Sequence, residues 1–170
     1  MPTFRDDEIE CHVFTFKEGV LSAVAHDLKI RVARGSITVG DAVEATFDPK
    51  SLSVVCARKD GRDSPGTLSA GDMKKIGANI DKDVLHTKKH AEIRFVSTAV
   101  ERDGERATVT GKLTLHGQTK PITATVTKQG ERWETEVSIH QPDFGIKPYS
   151  AMLGALKVKP TVKVQLSIPA

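Results

Sequence analysis

Aromatic side chains make up only 5% of this 170-residue chain: one Trp, one Tyr and six Phe. An interior built from it is aliphatic, which suits an alkyl or isoprenoid chain and equally a plain packed core. Cysteine is scarcer, with Cys11 and Cys56 alone. They form no Cys-x-x-Cys, which leaves no local support for a redox pair. Cys11 shares an alternating set with Val13, as a small buried thiol would. No apolar run approaches the ~20 residues that a transmembrane helix needs. The opening residues MPTFRDDEIE lack a basic segment followed by an apolar one, so no secretory signal is read and a cytoplasmic location is expected. The net charge is only +3. The densest basic spot, residues 82–90, has no aromatic stacking platform interleaved with it, which argues against nucleic acid as a partner. His-Glu-x-x-His, acidic cation loops and Gly-x-Ser-x-Gly are all missing. No catalytic residue, metal or cofactor is therefore assigned, and a non-enzymatic protein is expected.

What the chain does have is alternation. In residues 107–128, Val109, Leu113 and Leu115 share a face with Gly111, while Thr108, Thr110, Lys112, Thr114 and His116 take the other. On the second arm Ile122, Ala124 and Val126 alternate with Thr123, Thr125 and Thr127. A period of two means a sheet with one buried and one wet face. Residues 117–121 are expected to supply the turn, with Pro121 stopping the strand because it has no N–H. Similar alternation marks strands near 9–16, 28–39, 43–47, 52–56, 93–95, 133–139 and 162–168. Gly35 is expected to bend the long second one, and Asp48-Pro49 to end the third. Lys17, Glu18 and Gly19 read as a turn, and Ser22 could cap a single helical turn before His26.

One helix stands out. Ser69 can cap it, with Asp72 completing a capping box. Met73, Ile76, Ile80 and Val84 then recur at spacings of three and four, as one apolar stripe. The prediction is an all-β single domain over residues 1–170, an antiparallel barrel of about eight strands with one inserted amphipathic helix. A barrel of that size holds packed side chains or one small or elongated ligand.

TGKLTLHGQTKPI (residues 110–122), DFGIK (143–147) and HTKKHAEIRFVST (86–98) together resemble the YceI-like family. The likeness runs from about Glu10 to the C-terminus, and residues 16–32 are similar to a branch that carries Ala-His-Asp-Leu. The resemblance implies a lipocalin-like antiparallel barrel. It also implies a carrier or sequestering protein for a long apolar lipid: a polyisoprenoid, an isoprenoid quinone or a fatty-acid-like molecule. It further implies a possible homodimer. The competing reading is a fully packed barrel that acts as a scaffold or interaction protein without a lipid.

If the alternating apolar faces point inward, Ile30, Val32, Phe47, Phe95, Leu113, Leu115, Val137 and Val164 are the candidate lipid contacts. The segment 144–158 is apolar on several sides but broken by Gly145, Pro148 and Gly154. It reads either as a lid over the barrel mouth or as a plug, with Phe144, Ile146, Tyr149, Met152, Leu153 and Leu156 as its apolar members, of which Phe144, Tyr149, Met152 and Leu153 are candidate lipid contacts. His26, Lys147, Tyr149 and Ser150 are candidates to meet a head group. His26 and Asp27 are adjacent on an extended chain, so they point apart and form no dyad. His86 and His90 have helical metal spacing, but they lead into a strand, where four residues span about 13 Å. His116, at the hairpin tip, is read as bonding turn backbone.

Overall fold

The computed structural model describes residues 1–18, 25–151, 154 and 156–170. The Ser22 turn, Gly19, Met152 and Leu153 lie outside the described residues. The strands are β1 (Thr3–Arg5), β2 (Glu10–Thr15), β3 (Asp27–Val32), β4 (Gly35–Val39), β5 (Val43–Phe47), β6 (Leu52–Lys59), β7 (Arg62–Ser64), β8 (Ile93–Asp103), β9 (Arg106–Leu115), β10 (Gln118–Gln129), β11 (Arg132–His140), β12 (Ser150–Ala151), β13 (Leu156–Lys157) and β14 (Thr161–Pro169). Twelve of them form one antiparallel sheet in the order β1-β4-β5-β8-β9-β10-β11-β14-β2-β3-β6-β7.

The order explains how the sheet curls. Only Ala33 and Arg34 separate β3 from β4, yet these strands stand tenth and second in the sheet. β5 and β6 stand third and eleventh. A single bent hairpin, residues 27–59, therefore belongs to both ends of the sheet at once, and the sheet must roll until those ends meet. Its ladder continues through the corner, with Ala33 N–H donating to the Ser51 carbonyl (3.2 Å) and Asp48 N–H to that of Arg34 (3.1 Å). Asp48 caps the short 3-10 turn Pro49–Ser51 through Lys50 N–H (2.9 Å) and pairs with Arg34 at 2.6 Å.

The barrel class is as expected, but the strand count is not eight. The run 28–39, read as one strand, breaks into β3 and β4 before Gly35, while the second arm divides at Asp48-Pro49 into β5 and β6 as expected. β1, β7, β12 and β13 are only two or three residues long and too short to show alternation. β7 is hidden in a Gly/Asp/Ser-rich stretch and returns through a turn at Asp60 (φ 52°) and Gly61 (φ 76°).

The β9–β10 turn is tighter than predicted. It consists of His116 (φ 55°) and Gly117 (φ 73°) alone, the two positive φ values of a type I′ turn. Pro121 lies inside β10, opposite Lys112. It is tolerated because β11 pairs only with Val126–Gln129, so no neighbour on that side seeks its missing N–H. Lys17 bridges Val158, and Glu18 N–H donates to the Lys157 carbonyl at 2.8 Å.

The helix α1 (Ala70–Asn79) has the expected cap: Asp72 N–H donates to Ser69 Oγ (3.0 Å), and Ser69 N–H to Asp72 Oδ2 (3.3 Å). A π-helical turn, Ile80–Val84, extends it. α1 lies along β6, with Met73, Gly77 and Ala78 sharing an outer groove with Leu52 and Val54. Ile76 and Val84 turn the other way, into the barrel, and Ile80 borders both the groove and the barrel interior. Two apolar clusters form the buried core. One is centred on Ile9, Cys11, Val32, Ile37 and Ala45, the other on Ile139, Phe144, Ile146 and Val162.

Candidate ligand-binding site

The inner face does not fill its own interior. A cavity of about 1000 Å³ runs through the barrel, and every one of the ten longer strands from β2 to β6, from β8 to β11 and β14 contributes to its wall. That volume stands at the upper end of the range for small-molecule sites. Native cores are packed as densely as organic crystals. Here Leu113, Leu115, Val137 and Val164 face inward yet remain only partly buried. Among the described residues the largest side chain with under 2% exposure is Thr87, not a core hydrophobe.

All eight strand residues singled out from alternation lie on this wall: Ile30, Val32, Phe47, Phe95, Leu113, Leu115, Val137 and Val164. His26 and Tyr149 are on it too. Phe144 is not; it is 3% exposed within the second core cluster, with Ile139, Ile146 and Val162. Lys147 and Ser150 are exposed and off the wall.

The helix end of the cavity is framed by α1, the π-helical turn and residues 146–151 and 156–158, through Ile76, Asn79, Val84, Leu85, Ile146, Tyr149 and Leu156. Asn79 donates its amide to the Tyr149 hydroxyl at 3.2 Å, tying helix to segment. His26 and Asp27 diverge, as adjacent strand residues must. His26 faces the cavity, while Asp27 Oδ1 accepts from Lys17 N–H at 2.8 Å.

Sequence spacing misses a histidine cluster at this end. His86, with φ 48°, accepts from the N–H groups of Lys89 and His90 in a tight turn rather than an extended run. That turn brings the His86 and His90 rings within 5.6 and 4.3 Å of the His116 ring, centre to centre. His116 Nδ1 lies 3.2 Å from the Phe144 carbonyl, while its Nε2 is buried without a hydrogen-bond partner. Burial lowers the His116 pKa below its ordinary value; the Phe144 bond opposes this, and His90, His86 and Lys89 add to it. The cluster clasps three segments whose neighbours Leu85, Leu115 and Ile146 line the mouth. No group of three metal-ligating side chains is placed to hold a metal ion among the described residues.

Cys11 is on the wall and Cys56 is not; both are buried and free. Burial pushes the Cys11 thiol up to about 12.

Residues 8–170 match the family described as YceI-like domain. Among curated relatives, a UPF0312 protein of Pseudomonas putida (strain W619) is 47% identical over 76 residues, 38% of this chain and 40% of the relative. One from Pseudomonas syringae pv. syringae is 57% identical over 77 residues, with 39% of this chain and 40% of the relative covered. The chain thus matches about two-fifths of the length of these relatives. Solved structures share the fold at low identity. BcnA of Burkholderia cenocepacia has a TM-score of 0.68 at 18% identity, over 96% of this chain and 97% of its own. A polyisoprenoid binding domain from Saccharophagus degradans has a TM-score of 0.60 at 12% identity, over 99% and 98%.

Proposed function

Because this chain belongs to the YceI-like family, we propose that it binds a long apolar lipid inside its barrel and carries or sequesters it without chemical change. The cavity of about 1000 Å³, walled by aliphatic side chains from ten strands, is the observation that carries this reading. Burying an alkyl or prenyl chain there is favourable by ~0.8 kcal/mol per CH₂. That gain follows area rather than shape, so a polyisoprenoid, an isoprenoid quinone and a fatty-acyl chain are all compatible with the wall. The fold shared with the polyisoprenoid binding domain of Saccharophagus supports an isoprenoid among these. The alternative of a solid barrel acting as a scaffold is disfavoured by the same cavity.

The test is to extract purified protein with organic solvent and analyse the extract by mass spectrometry, beside an equally handled protein of similar charge. A stoichiometric prenyl or acyl species found only with this protein supports the carrier and names its cargo. An empty extract, followed by no uptake of added quinone, polyprenol or fatty acid in a fluorescence titration, overturns it.

A further inference from the structure

We propose that the cargo carries an anionic head group, a carboxylate or phosphate ester, seated at the Arg102–Arg106 end of the barrel, away from the helix. The inference rests on the lipid-binding reading above and adds the class of head group and its place. The charged side chains on the cavity wall are strongly biased to one sign: Lys75, Arg102, Arg106 and Lys157 against Asp72 alone. The bias is uneven along the barrel. At the helix end, Asp72 offsets Lys75 within the same helix, and Lys157 lies 4.0 Å from Glu18. At the opposite end, around the β8–β9 turn, the two arginines are the only charged residues on the wall among the described residues, together with Gly104, Val126, Trp133 and Ile168.

The placement of Arg102 is built by the backbone. Ile93 and Phe95 face inward on β8. Strict alternation from there would turn Glu101 and Asp103 to the lumen and Arg102 out. A register shift between Ser97 and Ala99 reverses the parity, so Val100 and Arg102 face the cavity opposite Val109 and Ala107. A bulge is the standard means of re-aiming side chains in a sheet. This one exchanges two carboxylates for a guanidinium at the cavity end. Arg102 Nη2 donates to the Gly40 carbonyl, which steadies the fork while leaving further N–H groups to donate. Arg106 borders the wall at the turn and makes no ion pair among the described residues, although Asp103 stands directly opposite it in the β8–β9 ladder; Glu101, Asp103 and Glu105 are themselves off the wall. Both arginines remain solvent-exposed, so a head group held there stays partly hydrated and avoids the cost of a fully buried charge. A planar fork matches carboxylate and phosphate oxygens alike. The acyl or prenyl chain then runs inward past Trp133 and Val126 toward Leu113 and Val137.

The experiment compares palmitate, hexadecyl phosphate and hexadecanol, which share one chain length, in displacement of a fluorescent probe. The wild-type protein is expected to prefer the two anions by about tenfold at low salt, the scale of charge-assisted bonds at a wet rim, with the preference shrinking in 0.5 M salt (~4 Å screening). The variant Arg102→Gln/Arg106→Gln is expected to lose that preference and to keep wild-type affinity for hexadecanol. Equal binding of anion and alcohol by the wild type, or an unchanged preference in the variant, overturns the head-group site while leaving the carrier intact. Binding of none of the three overturns the carrier reading itself. Arg106→Gln alone, at a side chain without an ion pair, supplies the same comparison if the double variant misfolds: a reduced preference supports the site, an unchanged one overturns it.

Discussion

The Phe95 ring occupies the space that a side chain on Gly111 would need: a Cβ there would fall 2.6 Å from its Cζ, and the Val96 carbonyl is nearer still. Phe47 and Gly35 repeat the relationship, with the ring 2.5 Å from a would-be Cβ. Both rings line the cavity, and each is drawn into the wall by a glycine on the adjoining strand. The glycines thus keep two of the chain's few aromatic rings from filling the lumen. Gly111→Ala should push the Phe95 ring inward and strain β9 against β8. Overpacking of this kind costs roughly 1–3 kcal/mol, or a Tm lower by several degrees. Uptake of a long-chain probe should fall with it. An unchanged Tm and unchanged uptake would remove Gly111 as the reason for the ring's position.

An interior that is hollow should accept a larger side chain that a packed one refuses. Leu115 faces the cavity beside the mouth and is only partly buried. Leu115→Trp is expected to leave the stability within about 1 kcal/mol of wild type, while in a dense core the same change would cost about 1–3 kcal/mol. It should at the same time abolish uptake of a C16 or prenyl probe. Circular dichroism melts and a titration on the same sample read both. A large loss of stability would mean that the cavity is filled by the protein itself.

The histidine clasp sets a direction for pH dependence. The folded protein holds His116 below its ordinary pKa, chiefly through burial, with His90, His86 and Lys89 contributing. The unfolded chain, at about 6.5, therefore takes up a proton more readily. Stability is fully present above that unfolded value and falls as pH drops through it toward the lowered folded value. Thermal melts between pH 7.5 and 5 should show a decline that is shallower in His116→Asn, a residue that also tolerates the left-handed φ of the turn. The release rate of a bound probe should rise over the same window, because Leu85, Leu115 and Ile146 at the mouth adjoin the clasped segments. Identical pH slopes in wild type and variant would remove His116 as the source.

Much of this architecture was legible because a one-sided sheet writes its burial into a period of two. The same eight alternating residues that mark strands, from Ile30 to Val164, line the cavity, and the Ser69–Asp72 cap is visible as a four-residue pattern. Features that depend on register were not. The bulge at Ser97–Ala99 has no composition cue, so nothing in the sequence turns Arg102 inward instead of Glu101. The His86 turn rests on one left-handed residue, which brings together three histidines that an extended chain would separate. Pro121 reads as a strand stop until it is known that β11 leaves that side of β10 unpaired. The curl itself follows from two residues, Ala33 and Arg34, joining strands eight places apart in the sheet, and no local pattern records that.

The two cysteines offer an internal control for occupancy. Cys11 is 4% exposed and lies on the cavity wall; Cys56 is 7% exposed and lies off it. With its pKa raised to about 12 by burial, the Cys11 thiol carries almost no thiolate at pH 8. The thiolate is the reactive form, so charged reagents from bulk water should label it very slowly. A small apolar maleimide can partition into the cavity and concentrate beside Cys11, so in the delipidated protein it should modify Cys11 slowly but measurably, and faster than a charged maleimide does. Loading the protein with palmitate or a polyprenol should then slow the reaction at Cys11 several-fold and leave Cys56 unaffected, as read by peptide mass spectrometry. Equal protection of both cysteines would point to general stabilisation of the fold, and no protection of either would place the lipid elsewhere than against β2.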